Sequence, residues 1–247
     1  MRKLDVIVPT YNNQNLLTNM VNSMTRIGFF EKGDRRLIIV NNGKQPCGKD
    51  YAHIFATGNL FIINNDDNLG WEGGLKEGLK HSDSQYICFQ NDDVHIPQSQ
   101  VDFYDRLIGG GDDRCGMIGP ITTCAAGIQS IYHQFTPIEI TEVRWLIFMC
   151  VMMRREVLDA VGGVDDTLRG GDDFDLSIRM RLAGYKLFVN PHTFLVHHGF
   201  QTGQRVHGGP DKDGGWNSLS MQERTNKGLI QKHGFRTFFE TIQKQTL

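Results

Sequence analysis

Three groups of acid, amide and imidazole side chains could do chemistry in this chain. In Gln90-Asn91-Asp92-Asp93-Val94, polar oxygens follow an apolar run. Two or three such ligands at a strand end can hold a divalent cation against a diphosphate. A turn or a helix N-cap accounts for an Asp doublet equally well. The second group is Asp172, Asp173 and Asp175, after Gly170-Gly171, at the head of a segment that reads as a helix stopped by Gly184. One acid can cap that turn and be favoured by the helix dipole. Three leave at least one over, and a carboxylate at a cleft rim can accept a proton from an attacking hydroxyl. The third group is His197-His198-Gly199. A lone His is more often structural, but two ahead of a Gly-rich stretch raise the prospect that imidazole completes a Mn²⁺ or Mg²⁺ site made otherwise of oxygens.

These groups belong to a wider excess. The 247 residues include 20 Asp but only 8 Glu, and half of the Asp sit in doublets at 66–67, 92–93, 112–113, 165–166 and 172–173. Glu is the acid of helix surfaces, whereas Asp serves caps, turns, metal sites and short-reach catalysis. A net charge of -2 argues against a dedicated nucleic-acid binder. Hydrophobic content of 39% with 10% aromatics excludes a disordered chain. No apolar run approaches the roughly 18 residues of a membrane helix, and the longest, 145–153, reads as a buried strand. The N-terminus passes straight into a strand-like segment, which predicts no signal peptide. Five cysteines without a C-x-x-C pair suit reduced thiols in a cytosolic protein.

The elements that must position the three groups alternate. Apolar runs at 4–8, 37–40, 60–63 and 86–89 predict strands, closed by Pro9, Asn41-Asn42-Gly43, Asn64-Asn65-Asp66-Asp67 and Asn91-Asp92-Asp93. Leu16, Leu17, Met20, Val21, Met24 and Ile27 recur at helical spacing before Gly28, and 71–81 predicts a second helix. This alternation predicts an α/β fold with a Rossmann-like, mostly parallel sheet flanked by helices, whose ligands sit at the carboxyl ends of the strands. Further on, strands are expected at 117–119, 128–133, 144–153, 186–189 and 194–197, and helices at 155–161, 173–183 and 218–232. The stretch 199–215 reads as a mobile loop. One domain is expected, with a nucleotide half at about 1–95 and an acceptor half at about 96–247.

The order Val8-Pro9-Thr10-Tyr11-Asn12, Asn68-Leu69-Gly70-Trp71-Glu72-Gly73-Gly74 and Asn91-Asp92-Asp93-Val94 resembles the inverting family 2 glycosyltransferases of the GT-A fold. The second half agrees through Gly162-Gly163-Val164-Asp165-Asp166, Gly171-Asp172-Asp173-Phe174-Asp175 and His197-His198-Gly199. The resemblance runs from about residue 5 to 234, and its nearest types are rhamnosyl, galactofuranosyl and polysaccharide transferases.

It implies an enzyme that moves a sugar from a UDP, GDP or dTDP donor to a saccharide or lipid-linked hydroxyl in cell-surface glycan synthesis. Asn91 and Asp93 stand where the family's D-x-D metal motif sits, and His197 aligns with a His that completes the shell around Mn²⁺ or Mg²⁺. Asp173 falls on the general base of the family's E-D motif, with Asp172 before it. Pro9, Thr10, Tyr11, Asn12, Asn41, Asn42, Asn68, Gly70, Trp71, Asn91 and Asp92 line the nucleotide and donor.

Three departures stand out. Asn41-Asn42 replaces the Asp that grips base and ribose, Asn91 opens the D-x-D motif, and Asp172 is one methylene shorter than Glu. A degenerate sugar-nucleotide-binding module is therefore an alternative, with a nucleotidyltransferase behind it. No G-x-G-x-x-G follows the first strand, against a dinucleotide oxidoreductase. The implied location is cytoplasmic or peripheral at the inner membrane face, with the Phe235, Phe238 and Phe239 region as a lipid-side contact. A homodimer is left open. The doublets at 66–67, 112–113 and 165–166 read as turn chemistry.

Overall fold

The computed structural model describes residues 2–45, 47, 51, 54, 58–168, 170–199, 201–211, 213, 215, 217–242 and 245–246. Strand β1 (Leu4–Thr10) is buried along its whole length, because helices cover both of its faces. Side chains alternate across a strand. Leu4, Val6 and Val8 therefore meet Leu17, Met20, Val21 and Met24 of helix α1 (Gln14–Arg26), while Ile7 joins the core on the other face. β2 (Arg35–Asn41) and β3 (Leu60–Asn64) extend the parallel sheet on one side, and β4 (Tyr86–Gln90) pairs with β1 on the other.

Helix α2 (Gly70–Lys80) lies on β1 and β2 at a distance that only glycine permits. A Cβ on Gly78 would sit 2.4 Å from Ile7 Cγ2, and one on Gly74 would sit 2.9 Å from Pro9 Cβ. Gly78→Ala is therefore expected to lower unfolding free energy by about 1–3 kcal/mol despite alanine's better helix propensity. Gly33→Ala, with open space at its Cβ, should stay within about 0.5 kcal/mol of the parent. Urea melts of both variants check this; a Gly78→Ala protein as stable as the parent contradicts the close packing.

The second half completes a nine-stranded sheet ordered β3-β2-β1-β4-β8-β6-β9-β5, with β7 also on β9. Its elements are β5 (Val94–His95), α3 (Phe103–Ile108), β6 (Cys115–Thr122), β7 (Thr141–Val143), β8 (Cys150–Arg154), α4 (Arg155–Ala160), α5 (Asp172–Leu182) and β9 (Lys186–His197). α6 (Gln201–His207), α7 (Leu219–His233) and α8 (Phe235–Ile242) follow. β8 enters antiparallel between β4 and β6, and β5 and β7 run against β9. The remaining six strands share one direction, so the sheet is mostly parallel, as the alternation predicts.

Several local expectations change. The predicted strand at 128–133 is instead a 3₁₀ turn (Gly127–Gln129) and a surface excursion, where Tyr132 is 78% exposed. Of 144–153, only the end is strand. Trp145, Leu146, Phe148 and Met149 are buried, but backbone amides here are met by side chains: Leu146 N–H by Ser177 Oγ and Ile147 N–H by Gln129 Oε1. Burial without a ladder produces the same apolar run. The two strands predicted at 186–189 and 194–197 are halves of β9, joined through a register shift opposite Pro120 and Ile121.

The stretch 199–215 contains helix α6, although residues 200, 212 and 214 lie outside those described. This helix buries no side chain, so no apolar periodicity announces it. α3 was not anticipated, because six residues are too few to show a period. The cysteines are free thiols. Phe238 is core, whereas Phe235 and Phe239 stack on the surface with centroids 5.6 Å apart.

Candidate active site

The carboxyl end of β4 and the end of β9 meet because β5 pairs with β9, Val94 opposite His197. This brings Asn91, Asp93 and His197 together. His197 Nδ1 lies 2.7 Å from the Cys124 carbonyl, which can only accept, so that nitrogen carries the proton. The Nε2 lone pair then faces Asn91 Nδ2 at 3.1 Å and Asp93 Oδ1 at 3.2 Å. The short Nε2–Oδ1 approach lacks hydrogen-bond geometry, and Asp93 Oδ1 is a buried oxygen without a hydrogen-bond partner. The carboxylate oxygen beside Nε2 is balanced by positive charge, either a proton on the imidazole or a cation that takes its place. Burial pulls the His197 imidazole down, but Asp93, the Cys124 carbonyl and Asp92 outweigh it, and its pKa stands above the ordinary value.

Asp92 turns the other way. Its Oδ2 accepts from Thr10 Oγ1 at 2.6 Å and its Oδ1 from Asn13 Nδ2 at 3.3 Å, which locks β4 to the exit of β1. Burial pushes its carboxyl up to about 7, against the Thr10 hydrogen bond. Asn13 also donates to Thr202 Oγ1 at 2.6 Å, and Arg205 donates to the Asn12 carbonyl at 2.9 Å and to Asn13 Oδ1. Helix α6 is thus held across the β1 exit by polar contacts alone. Pro9 is buried under α2, Tyr11 is half-buried, and Asn12 is exposed with φ of 54°.

The expected base-binding amides are occupied with one another. Asn41 Nδ2 donates to the Gln45 carbonyl and to Asn64 Oδ1, both at 2.8 Å. Asn42 donates to the Gly70 carbonyl at 2.9 Å and accepts from Asn65 at 2.8 Å. Asn68 Oδ1 accepts from the Gly70 N–H at 2.9 Å and shapes the turn into α2. Neutral amides can pair in this way where a second carboxylate would repel.

At the head of α2, Trp71 Nε1 donates to Asp172 Oδ2 at 3.0 Å. This sets the acid pair beside the head of α2. Asp173 Oδ1 accepts from the Phe174 N–H at 2.8 Å. Burial raises Asp172 to about 6, and burial with the charge of Asp172 raises Asp173 well above the carboxylate range. Glu72, at the head of α2, is the third member. Burial and then the Asp172 charge lift it to about 7. Among the described residues none of these three acids is in an ion pair.

Asp175 is the acid that structure consumes. Buried on α5, it accepts from Arg179 Nε at 2.8 Å and from His233 Nε2 at 2.7 Å, and meets Lys232 Nζ at 2.6 Å. The bland doublets also hold turns: Asp112 accepts from Arg114 N–H and Lys186, Asp165 from Thr167 N–H and Lys232, and Asp166 from Lys76. Asn13 adjoins the quoted Asn12 and Glu72 lies inside the quoted 68–74 motif, but neither carries a signal of its role; Arg205 carries no sequence signal.

Residues 5–104 match the family model described as Glycosyl transferase family 2. An uncharacterized protein of Mycobacterium tuberculosis is 25% identical over 249 residues, 94% of this chain and 86% of its own length. An O-antigen biosynthesis protein of Myxococcus xanthus is 24% identical over 225 residues, 79% of this chain but 17% of that protein. A mannosyltransferase from Pyrobaculum calidifontis, solved with GDP-Man and Mn²⁺, superposes with a TM-score of 0.65 at 17% identity, over 83% of this chain and 60% of its own. The N-terminal region is thus similar to Glycosyl transferase family 2, and the sheet it continues into has the fold of that solved mannosyltransferase.

Proposed function

We propose that this glycosyltransferase inverts configuration as it moves a sugar from a nucleoside-diphosphate donor to a hydroxyl of a saccharide or lipid-linked acceptor, in cell-surface glycan synthesis. The observation that carries this reading is the convergence of Asp93 Oδ1, His197 Nε2 and the Asn91 amide. Among the described residues no three His, Cys, Asp or Glu side chains cluster as a ready-made metal cage. The Asp93 carboxylate and the His197 imidazole nevertheless suit Mn²⁺ or Mg²⁺, which take oxygen with some nitrogen, and Asn91, whose Nδ2 now faces Nε2, adds a ligand once its amide turns to present Oδ1. When bound there, the cation supplies countercharge to the diphosphate as it leaves. The Cys124 carbonyl keeps His197 in the tautomer that presents Nε2.

Asp173 accepts the proton of the attacking hydroxyl, and Asp172 stands beside it. Thr10 and Asp92 hold the β1 exit against β4, and α6 covers that exit, which limits water at the donor. The O-antigen biosynthesis protein of Myxococcus and the GDP-Man and Mn²⁺ of the Pyrobaculum enzyme support this reading. No helix among the described residues is long and apolar enough to cross a membrane.

Calorimetry with UDP, GDP and dTDP, with and without Mn²⁺, tests the site. One nucleotide should bind at least about tenfold tighter with the metal, and Asp93→Ala should remove that gain. Metal-independent binding, or Asp93→Ala with the full gain, rejects the assignment. Nucleotide binding without product release from any sugar donor favours the binding module instead.

A further inference from the structure

We propose that Trp71 is a positioning residue whose indole N–H fixes the Asp172 carboxylate at the head of α5, tying the donor-side segment 68–71 to the acid pair. The proposal rests on the reading that this pair takes the acceptor proton. Trp71 and Asp172 are 101 positions apart and joined by a 3.0 Å hydrogen bond. The indole body packs against the core on the α2 side of the sheet, yet its polar edge is spent on an acid rather than on backbone. The same turn is tied down behind it, since the Gly70 carbonyl accepts from Asn42 and the Gly70 N–H donates to Asn68. A donor lying against 68–70 therefore presses on the residue that orients Asp172.

The groups that face Asp172 are otherwise acidic: Glu72 from α2, and Asp173 and Asp175 from its own helix. The nearest bases are already engaged, with Arg179, Lys232 and His233 on Asp175 and Lys76 on Asp166. The indole N–H is thus the side-chain donor that favours the ionised form of Asp172. Burial of the carboxyl works against it.

Trp71→Phe keeps an aromatic side chain but deletes the pyrrole ring with its N–H. In the full-length protein with saturating metal, kcat is expected to fall about tenfold while donor KM stays within about twofold. The acid limb of the kcat/KM profile should move down by up to about one pH unit, because an Asp172 kept neutral no longer raises Asp173. A merely packing role moves neither. In the parent protein, the Trp71 indole ¹⁵N–¹H cross-peak should titrate with the acid pair between about pH 5 and 8; this holds the test open even if the variant folds poorly. A cross-peak indifferent to pH, or Trp71→Phe with the parent limb while Asp173→Asn is inactive, overturns the proposal alone. Full activity in Asp173→Asn removes the reading beneath it, and the proposal with it.

Discussion

Asp173→Asn is expected to lower kcat by about 10²–10⁴-fold, the range for loss of a general base, and to leave nucleoside-diphosphate affinity within about twofold. The amide keeps the size of the side chain and can still accept from the Phe174 N–H, so the head of α5 should survive. What it cannot do is take a proton. The parent enzyme should show an acid limb in kcat/KM well above the ordinary carboxylate range, because burial and the Asp172 charge hold Asp173 up. The working form is the ionised one, so activity rises as pH climbs through that limb. Its midpoint belongs to the coupled acids rather than to one residue. Asp172→Asn removes a negative neighbour that raises Asp173, so the limb should shift to lower pH. Initial rates between pH 5 and 9 decide the matter. A fully active Asp173→Asn enzyme ends the assignment.

Asp5→Ala is expected to destabilise the fold by about 3 kcal/mol without altering the activity of the molecules that remain folded. Asp5 lies on β1 opposite Arg36 of β2 and is fully buried. Its two carboxylate oxygens accept from Arg36 Nε at 3.0 Å and Nη2 at 2.9 Å, and Oδ2 also accepts from Ser82 Oγ at 2.6 Å. Removing it strands a guanidinium that is 12% exposed, and breaking one side of such a pair costs about 3–5 kcal/mol. Arg36 keeps the His81 carbonyl at 2.8 Å and Asp83 at 3.6 Å, which places the loss at the low end. The pair stands at the opposite end of β1 from Thr10, five residues or roughly 17 Å away, so the site should be untouched. Urea unfolding measures the change, and Asp5→Leu with Arg36→Leu should recover part of it. A loss below about 1 kcal/mol shows that the pair is not a stabilising device.

Much of the site was legible because its residues stand at element ends. Strands closed by Asn and Asp mark the carboxyl edge of a parallel sheet, and β1 to β4 end where the apolar runs end. His197, grouped with Asn91 and Asp93 only through the family resemblance, lies about 3 Å from each of them. The failures share a cause. Trp145, Leu146, Phe148 and Met149 look like a strand because they are buried, yet Ser177 and Gln129 satisfy the backbone there instead of a neighbouring strand. Helix α6 has no apolar stripe, because Arg205 and Thr202 hold it to Asn12 and Asn13.

The sequence by itself determined the α/β alternation, the polar strand ends, the three chemical clusters and their likeness to family 2. Local composition and spacing are enough for these, since periodicity and stop signals act over a few residues. Only the tertiary structure decided which acids are free. Asp175 looks the equal of Asp172 and Asp173 along the chain, but Lys232 and His233, 57 and 58 positions away, neutralise it. Asp172 instead meets an indole N–H, Asp173 a backbone N–H, and Glu72 joins them from another helix. The charge state of a carboxyl depends on burial and on neighbours brought in by folding, and neither is written in the residues on either side of it.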